Sequence, residues 1–140
     1  MKLIKWDRYE IAIEKVKLKD PSGIFTKIQK NMQIVSVKCW EQLAFATISS
    51  LKAFERNTNK ARTITGEILL RLAGTLQIHE AISKVGAKKG ENFMVAFGED
   101  AARNLESFIE ENNLQKIPFK DCDVEKVKEL IELAALVDVL

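Results

Sequence analysis

One histidine is all this chain offers for imidazole chemistry, and two cysteines are all it offers for thiol or metal chemistry. A Ser-His-Asp or Cys-His arrangement could be built only on His79. That residue lies in Gln77-Ile78-His79-Glu80-Ala81, where helical spacing gives the inner face to Ile78, Ala81 and Ile82 and turns His79 outward. It reads as a solvated helix residue rather than a catalytic base. Cys39 and Cys122 are far apart and, with one remote histidine, lack the spacing of a zinc site. Cys39, beside Trp40, reads as a small core residue, and Cys122, in Asp121-Cys122-Asp123, as a turn residue. So few cysteines also favour a reducing compartment, because a secreted domain of this size usually carries a fuller disulfide set. No apolar run approaches the roughly 20 residues of a membrane helix, and Met1 to Asp7 lacks the apolar stretch of a signal peptide. The expected setting is cytoplasmic, with no membrane partner. A large excess of charge of one sign is missing too. The formal net charge is +2, so any basic site must be local.

What is present is globular composition, 46% hydrophobic and 30% charged, over 140 residues, the length of one ordinary domain. Tyr9 to Leu18 alternates apolar and charged residues and predicts a half-buried strand, with a change of phase after Ile13 that suggests a bulge. A short helix with Ile24, Phe25 and Ile28 follows Asp20-Pro21-Ser22, and Met32 to Val37 predicts a second strand. From Trp40 the period is helical, broken at Asn57-Thr58-Asn59. Further helices are expected over Ile64 to Ala73, ended by Gly74, and from a Thr75 cap to the stop at Gly86. Phe93 to Phe97 predicts a strand, Glu99 to Glu111 a helix, Leu114 to Phe119 an edge strand and Val124 to Val137 a final helix. The fold class is α/β in the α+β sense: a single domain, residues 1–140, with a small mixed or antiparallel sheet of about four strands and helices packed on it.

Catalytic constellations are absent from the pattern. Gly86-Ala87-Lys88-Lys89-Gly90-Glu91 is not a P-loop, since it follows a helix and its last glycine precedes Glu91 rather than Lys-Ser/Thr. The carboxylates are scattered along solvated helix faces. No catalytic residue, metal site or cofactor is assigned. Two binding features stand out instead. Lys52, Arg56, Lys60, Arg62 and Arg71 outnumber Glu55 and Glu67, and Asn57, Thr58 and Asn59 add short polar donors at the helix break. Grouped cations with such donors, beside the amides of a helix N-terminus, suit a phosphate-rich or single-stranded nucleic acid. Composition alone favours a merely solvated basic face. The second feature is surplus apolar surface. Ile68, Leu69 and Leu72 surround much of their helix, and Leu133 and Leu136 widen the stripe of Val124, Val127, Ile131 and Ala134. These five residues are candidate partner contacts.

Ala53 to Arg62, Glu67 to Thr75, and Gln77 to Ile82 with Gly86 after the helix together resemble the small non-catalytic KEOPS subunit, the archaeal counterpart of the PRPK-binding protein. Arg71 stands where many relatives carry an aromatic or apolar residue, and Leu76 where a polar one is common. The resemblance implies a role in threonylcarbamoylation of the tRNA adenosine beside the anticodon. It implies a subunit that binds the kinase-like ATPase and holds the single-stranded 3′ CCA tail of tRNA while another subunit performs the transfer. Asn59, Lys60 and Arg62 match the motif best, with Lys52 and Arg56 as flanking phosphate contacts. Two other readings remain. A scaffold or regulator without RNA contact would bind the kinase-like subunit alone, and a small stand-alone enzyme would show turnover in isolation.

Overall fold

Strand alternation builds the first unit of the chain, and the computed structural model describes it and the rest of residues Met1–Leu140. β1 (Lys2–Trp6) and β2 (Tyr9–Leu18) form an antiparallel pair. β2 also pairs with β4 (Gly90–Gly98) in unbroken register, from Glu10 opposite Gly98 to Leu18 opposite Gly90. The phase change after Ile13 is therefore not a bulge. Ile11 and Ile13 occupy one face, Ala12, Val16 and Leu18 the other, and all five are buried. A strand buried on both faces carries apolar residues in either phase. β3 (Met32–Val35) pairs with β4, and β5 (Gln115–Lys116) with β2, so the sheet has five strands, all antiparallel. The expected Leu114 to Phe119 strand contracts to two residues before Pro118, which has no donor for the ladder, although the Ile117 amide still donates to the Lys15 carbonyl at 2.9 Å. β1 was not expected, because its short edge pattern leaves Leu3 exposed.

α4 (Ala101–Glu111) lies on β2 and β4. Its Ala101, Leu105, Phe108 and Ile109 share one core with Ala12, Val16, Leu18, Met32, Ile34, Met94 and Ala96. The helix expected around Ile24 is only a 3-10 turn, Ile24–Thr26, with Phe25 exposed. The Gly86 to Glu91 segment is only a short connection, since β4 already starts at Gly90. Asn92 accepts the Lys88 amide at 3.0 Å and donates to the Lys88 and Gly90 carbonyls, so that amide is already used. These elements, residues 1–36 and 87–119, make one compact unit.

The second unit, residues 37–86 and 120–140, is helical. α1 (Trp40–Glu55) packs on α2 (Ile64–Ala73), which packs on α3 (Ile78–Val85). α2 starts where Thr63 Oγ1 accepts the Gly66 amide at 3.0 Å. It stops at Gly74, whose φ of +68° is the left-handed conformation that glycine adopts without penalty. α3 begins later than its predicted Thr75 cap, at Gln77, with Thr75 Oγ1 accepting the Gln77 amide just ahead of it. α5 (Val124–Ala135) is capped by Asp123 and runs into a 3-10 turn, Leu136–Val139. It packs on α1 and α2. Ala134 and Val137 are buried, Val127 and Ile131 half-buried, and Val124, assigned to the core stripe, is exposed.

The cysteines depart furthest from the sequence reading. Cys39 and Cys122, taken as an isolated core residue and a turn residue, are joined in a disulfide with Cα atoms 5.8 Å apart. Trp40 Nε1 donates to Asp121 Oδ1 at 2.8 Å, and the Cys122 amide to Glu41 Oε2 at 3.0 Å. The chain returns after 83 residues to the start of α1, a closure that neither local sequence displays.

Candidate nucleic-acid and partner interface

The helix break between α1 and α2 is built by its own polar groups. Asn57 takes a left-handed conformation, φ +55°, which asparagine tolerates, and turns the chain out of α1. Asn59 Nδ2 donates to the Ala61 carbonyl at 2.8 Å, so this side chain shapes the loop it was expected to offer to RNA. The Lys60 and Ala61 amides both donate to Glu67 Oε1, at 2.8 and 2.7 Å. The Gly66 and Glu67 amides go to Thr63. Backbone donors at this site are thus largely used internally. Of the cations, Arg56, Lys60 and Arg62 are exposed and Lys52 is half-buried on the last turn of α1. The expected RNA-contact residues Lys52, Arg56, Asn59, Lys60 and Arg62 lie between the last turn of α1 and the start of α2, with Asn59 bracing the loop.

Arg71 does not belong to that surface. It is 1% exposed, and its guanidinium meets Glu67 Oε2 through Nε at 3.1 Å and Nη2 at 3.0 Å. Nη2 also lies 2.9 Å from Asp138 Oδ1 in the C-terminal turn, an ion pair rather than a hydrogen bond, since this buried nitrogen has no partner in hydrogen-bond geometry. Glu67 is fully buried. A guanidinium fork suits such a pair because it presents several donors in fixed geometry. Sequence reasoning counted Glu67 and Arg71 as surface charges. The i,i+4 spacing was the signal that they pair.

The partner surface also needs correction. Ile68, Leu69 and Leu72, expected to face a partner, are core residues at 0%, 9% and 2% exposure, enclosed because α2 is central in its unit. Leu133 and Leu136 stay partly open, at 38% and 42%. Ile78 and Ile82, assigned to the inner face of α3, are exposed together with Leu76, while the smaller Ala81 and the neighbouring Val85 are buried. His79 is exposed, as its spacing implied. On the same helix, hydrogen bonds from Lys84 and then Thr75 hold the Glu80 carboxyl below its ordinary range. Leu133 lies against Gly74, so close that a Cβ there would stand 2.5 Å from Leu133 Cδ1. That contact sets α5 beside the Gly74 turn that ends α2.

The family described as kinase binding protein CGI-121 matches residues 27–138. The chain belongs to the CGI-121 family. It is also 46% identical over 134 residues to the KEOPS complex subunit Cgi121 of Pyrococcus abyssi (strain GE5 / Orsay), covering 94% of this chain and 78% of that protein. In this CGI-121 member the matched span takes in the basic loop, all five α-helices, both cysteines and the whole Glu67–Arg71–Asp138 cluster. Cys39, Glu41 and Cys122 come together closely, but both sulfurs are consumed by the disulfide, so the group does not suit a metal ion. No helix is long and apolar enough to cross a membrane.

Proposed function

We propose that this CGI-121 member is the Cgi121-type, non-catalytic subunit of a cytoplasmic KEOPS complex that makes threonylcarbamoyladenosine in tRNA. In this role it docks the kinase-like ATPase and holds the single-stranded 3′ tail of tRNA. The observation that carries the reading is the 46% identity, over nearly the whole chain, to a KEOPS subunit. The exposed cations Arg56, Lys60 and Arg62 support the RNA arm, since phosphate contacts supply most of the sequence-independent affinity for nucleic acid. The exposed leucines Leu133 and Leu136 of α5 and its following turn support the protein arm, since exposed apolar surface marks interaction sites.

The test compares intact tRNA with tRNA trimmed of its 3′ tail, titrated against the full chain. Intact tRNA should bind measurably more tightly, and equal affinity for the two would sink the tail-binding role. In parallel, Leu136→Asp should abolish co-purification with the kinase-like subunit while the variant stays folded. Truncating a well-packed interface leucine costs about 1–3 kcal/mol, roughly ten- to a hundredfold in affinity. Retained co-purification would remove α5 from the interface.

A further inference from the structure

Glu67 is buried between the basic loop and Arg71. One carboxylate oxygen holds the Lys60 and Ala61 amides of the basic loop, and the other holds Arg71. Arg71 is buried, and its second anionic neighbour is Asp138, whose side chain is 58% exposed. The result is a chain with a buried middle and two exposed ends: hydrogen bonds from the loop amides and from Arg71 Nε to Glu67, then an ion pair from Arg71 Nη2 to Asp138. At one end stand Lys60 and Arg62. At the other is the Leu136–Val139 turn, which carries the partly exposed Leu136.

We propose that Glu67, Arg71 and Asp138 form a positioning relay that couples the conformation of the Asn59–Arg62 loop to the C-terminal turn. A buried guanidinium keeps its charge and must be paired. With Asp138 in place, the Arg71 charge is shared between two carboxylates, and Glu67 keeps its first oxygen for the loop amides. Without Asp138, Arg71 draws on Glu67 alone, and the loop amides compete for a carboxylate pulled toward the guanidinium. Anything that engages Asp138 from solvent, such as a cationic side chain of a docked protein, therefore loosens or resets the basic loop. Because coupling between sites is reciprocal, a ligand ordering the loop strengthens the hold on the C-terminal turn by the same factor. The RNA part of this inference rests on the function proposed above. The link between loop and turn does not.

The experiment uses the full chain with Asp138→Asn, Asp138→Glu and, as a control for lost charge, Glu132→Gln, which changes an exposed α5 residue. Residue-resolved amide exchange is followed at Lys60 and Ala61 and, for comparison, along Leu43 to Leu51 of α1. Asp138→Asn should speed exchange at Lys60 and Ala61 about fivefold, in the range of modest coupling energies, with α1 unchanged. Asp138→Glu should restore protection, and Glu132→Gln should not disturb it. Intact tRNA is then titrated. Removal of a negative charge by itself strengthens binding to a polyanion, yet Asp138→Asn should weaken it about fivefold. Unchanged loop exchange in Asp138→Asn overturns the relay, as does equal acceleration in loop and α1, which would mean simple destabilisation. If the loop responds but wild-type protein binds no tRNA, the relay stands and the proposed RNA role falls.

Discussion

Glu67 and Arg71 show how a residue's neighbours in sequence mislead about its role. Both sit in a stretch rich in charge, and composition assigns them to a solvated face. Folding turns them inward, where the pair closes the helix break and ties it to Asp138. Lys60 and Arg62 stood out in the sequence only as cations at a polar helix break, and both are exposed. Asn59 was legible only as polar, since its bond to Ala61 depends on loop geometry. Gly74 is the residue where conformation and packing make the same demand. Gly74→Ala places a Cβ in the left-handed region, at about 1–2 kcal/mol, and drives it toward Leu133. Thermal or urea unfolding should show a loss of about 2 kcal/mol or more. Gly74→Asn eases the backbone cost but adds a carboxamide beyond the Cβ, so a loss no smaller than that of Gly74→Ala would make the clash with Leu133 the larger cost.

At the scale of elements, period and caps carried most of the information. Tyr9–Leu18 and Ile64–Ala73 form within their expected bounds because alternation and a Thr63 cap are properties of adjacent residues. α3 kept its place but not its orientation: two isoleucines look like a core stripe, yet the helix buries Ala81 and Val85 against α2. α5 was recognised as a helix, while its packing on α1 and α2 was not. The Cys39–Cys122 bond now anchors its leading segment to the start of α1. Closing a loop of 83 residues restricts the unfolded chain by about 4.5 kcal/mol in the chain-entropy account. Reduction should therefore lower the unfolding midpoint substantially, and Cys39→Ser with Cys122→Ser should reproduce the effect without reductant. An unchanged midpoint would mean that the Trp40–Asp121 and Glu41–Cys122 hydrogen bonds anchor the segment unaided.

For the molecule as a whole, a net charge of +2 makes tRNA affinity a local matter. With some three phosphates contacted by a few cations, the logarithm of affinity should fall with that of salt at a slope near −2. Lys60→Glu should make the slope shallower by about one and weaken binding to all tRNAs alike, with stability within about 0.5 kcal/mol of wild type. A slope unaffected by Lys60→Glu would place the phosphates elsewhere. Sequence by itself determined the α+β class, most strands and helices and the basic loop, because these follow from patterns among residues a few positions apart. The family could be read at the same level, from motifs within α1, α2 and α3. Only the tertiary structure decided the two interleaved units, the disulfide, the inward turn of Glu67 and Arg71, and which apolar residues stay open. Each of those depends on segments that meet only when the chain returns on itself, as residues 120–140 do to α1 and α2. Burial is a property of that meeting, and no local pattern contains it.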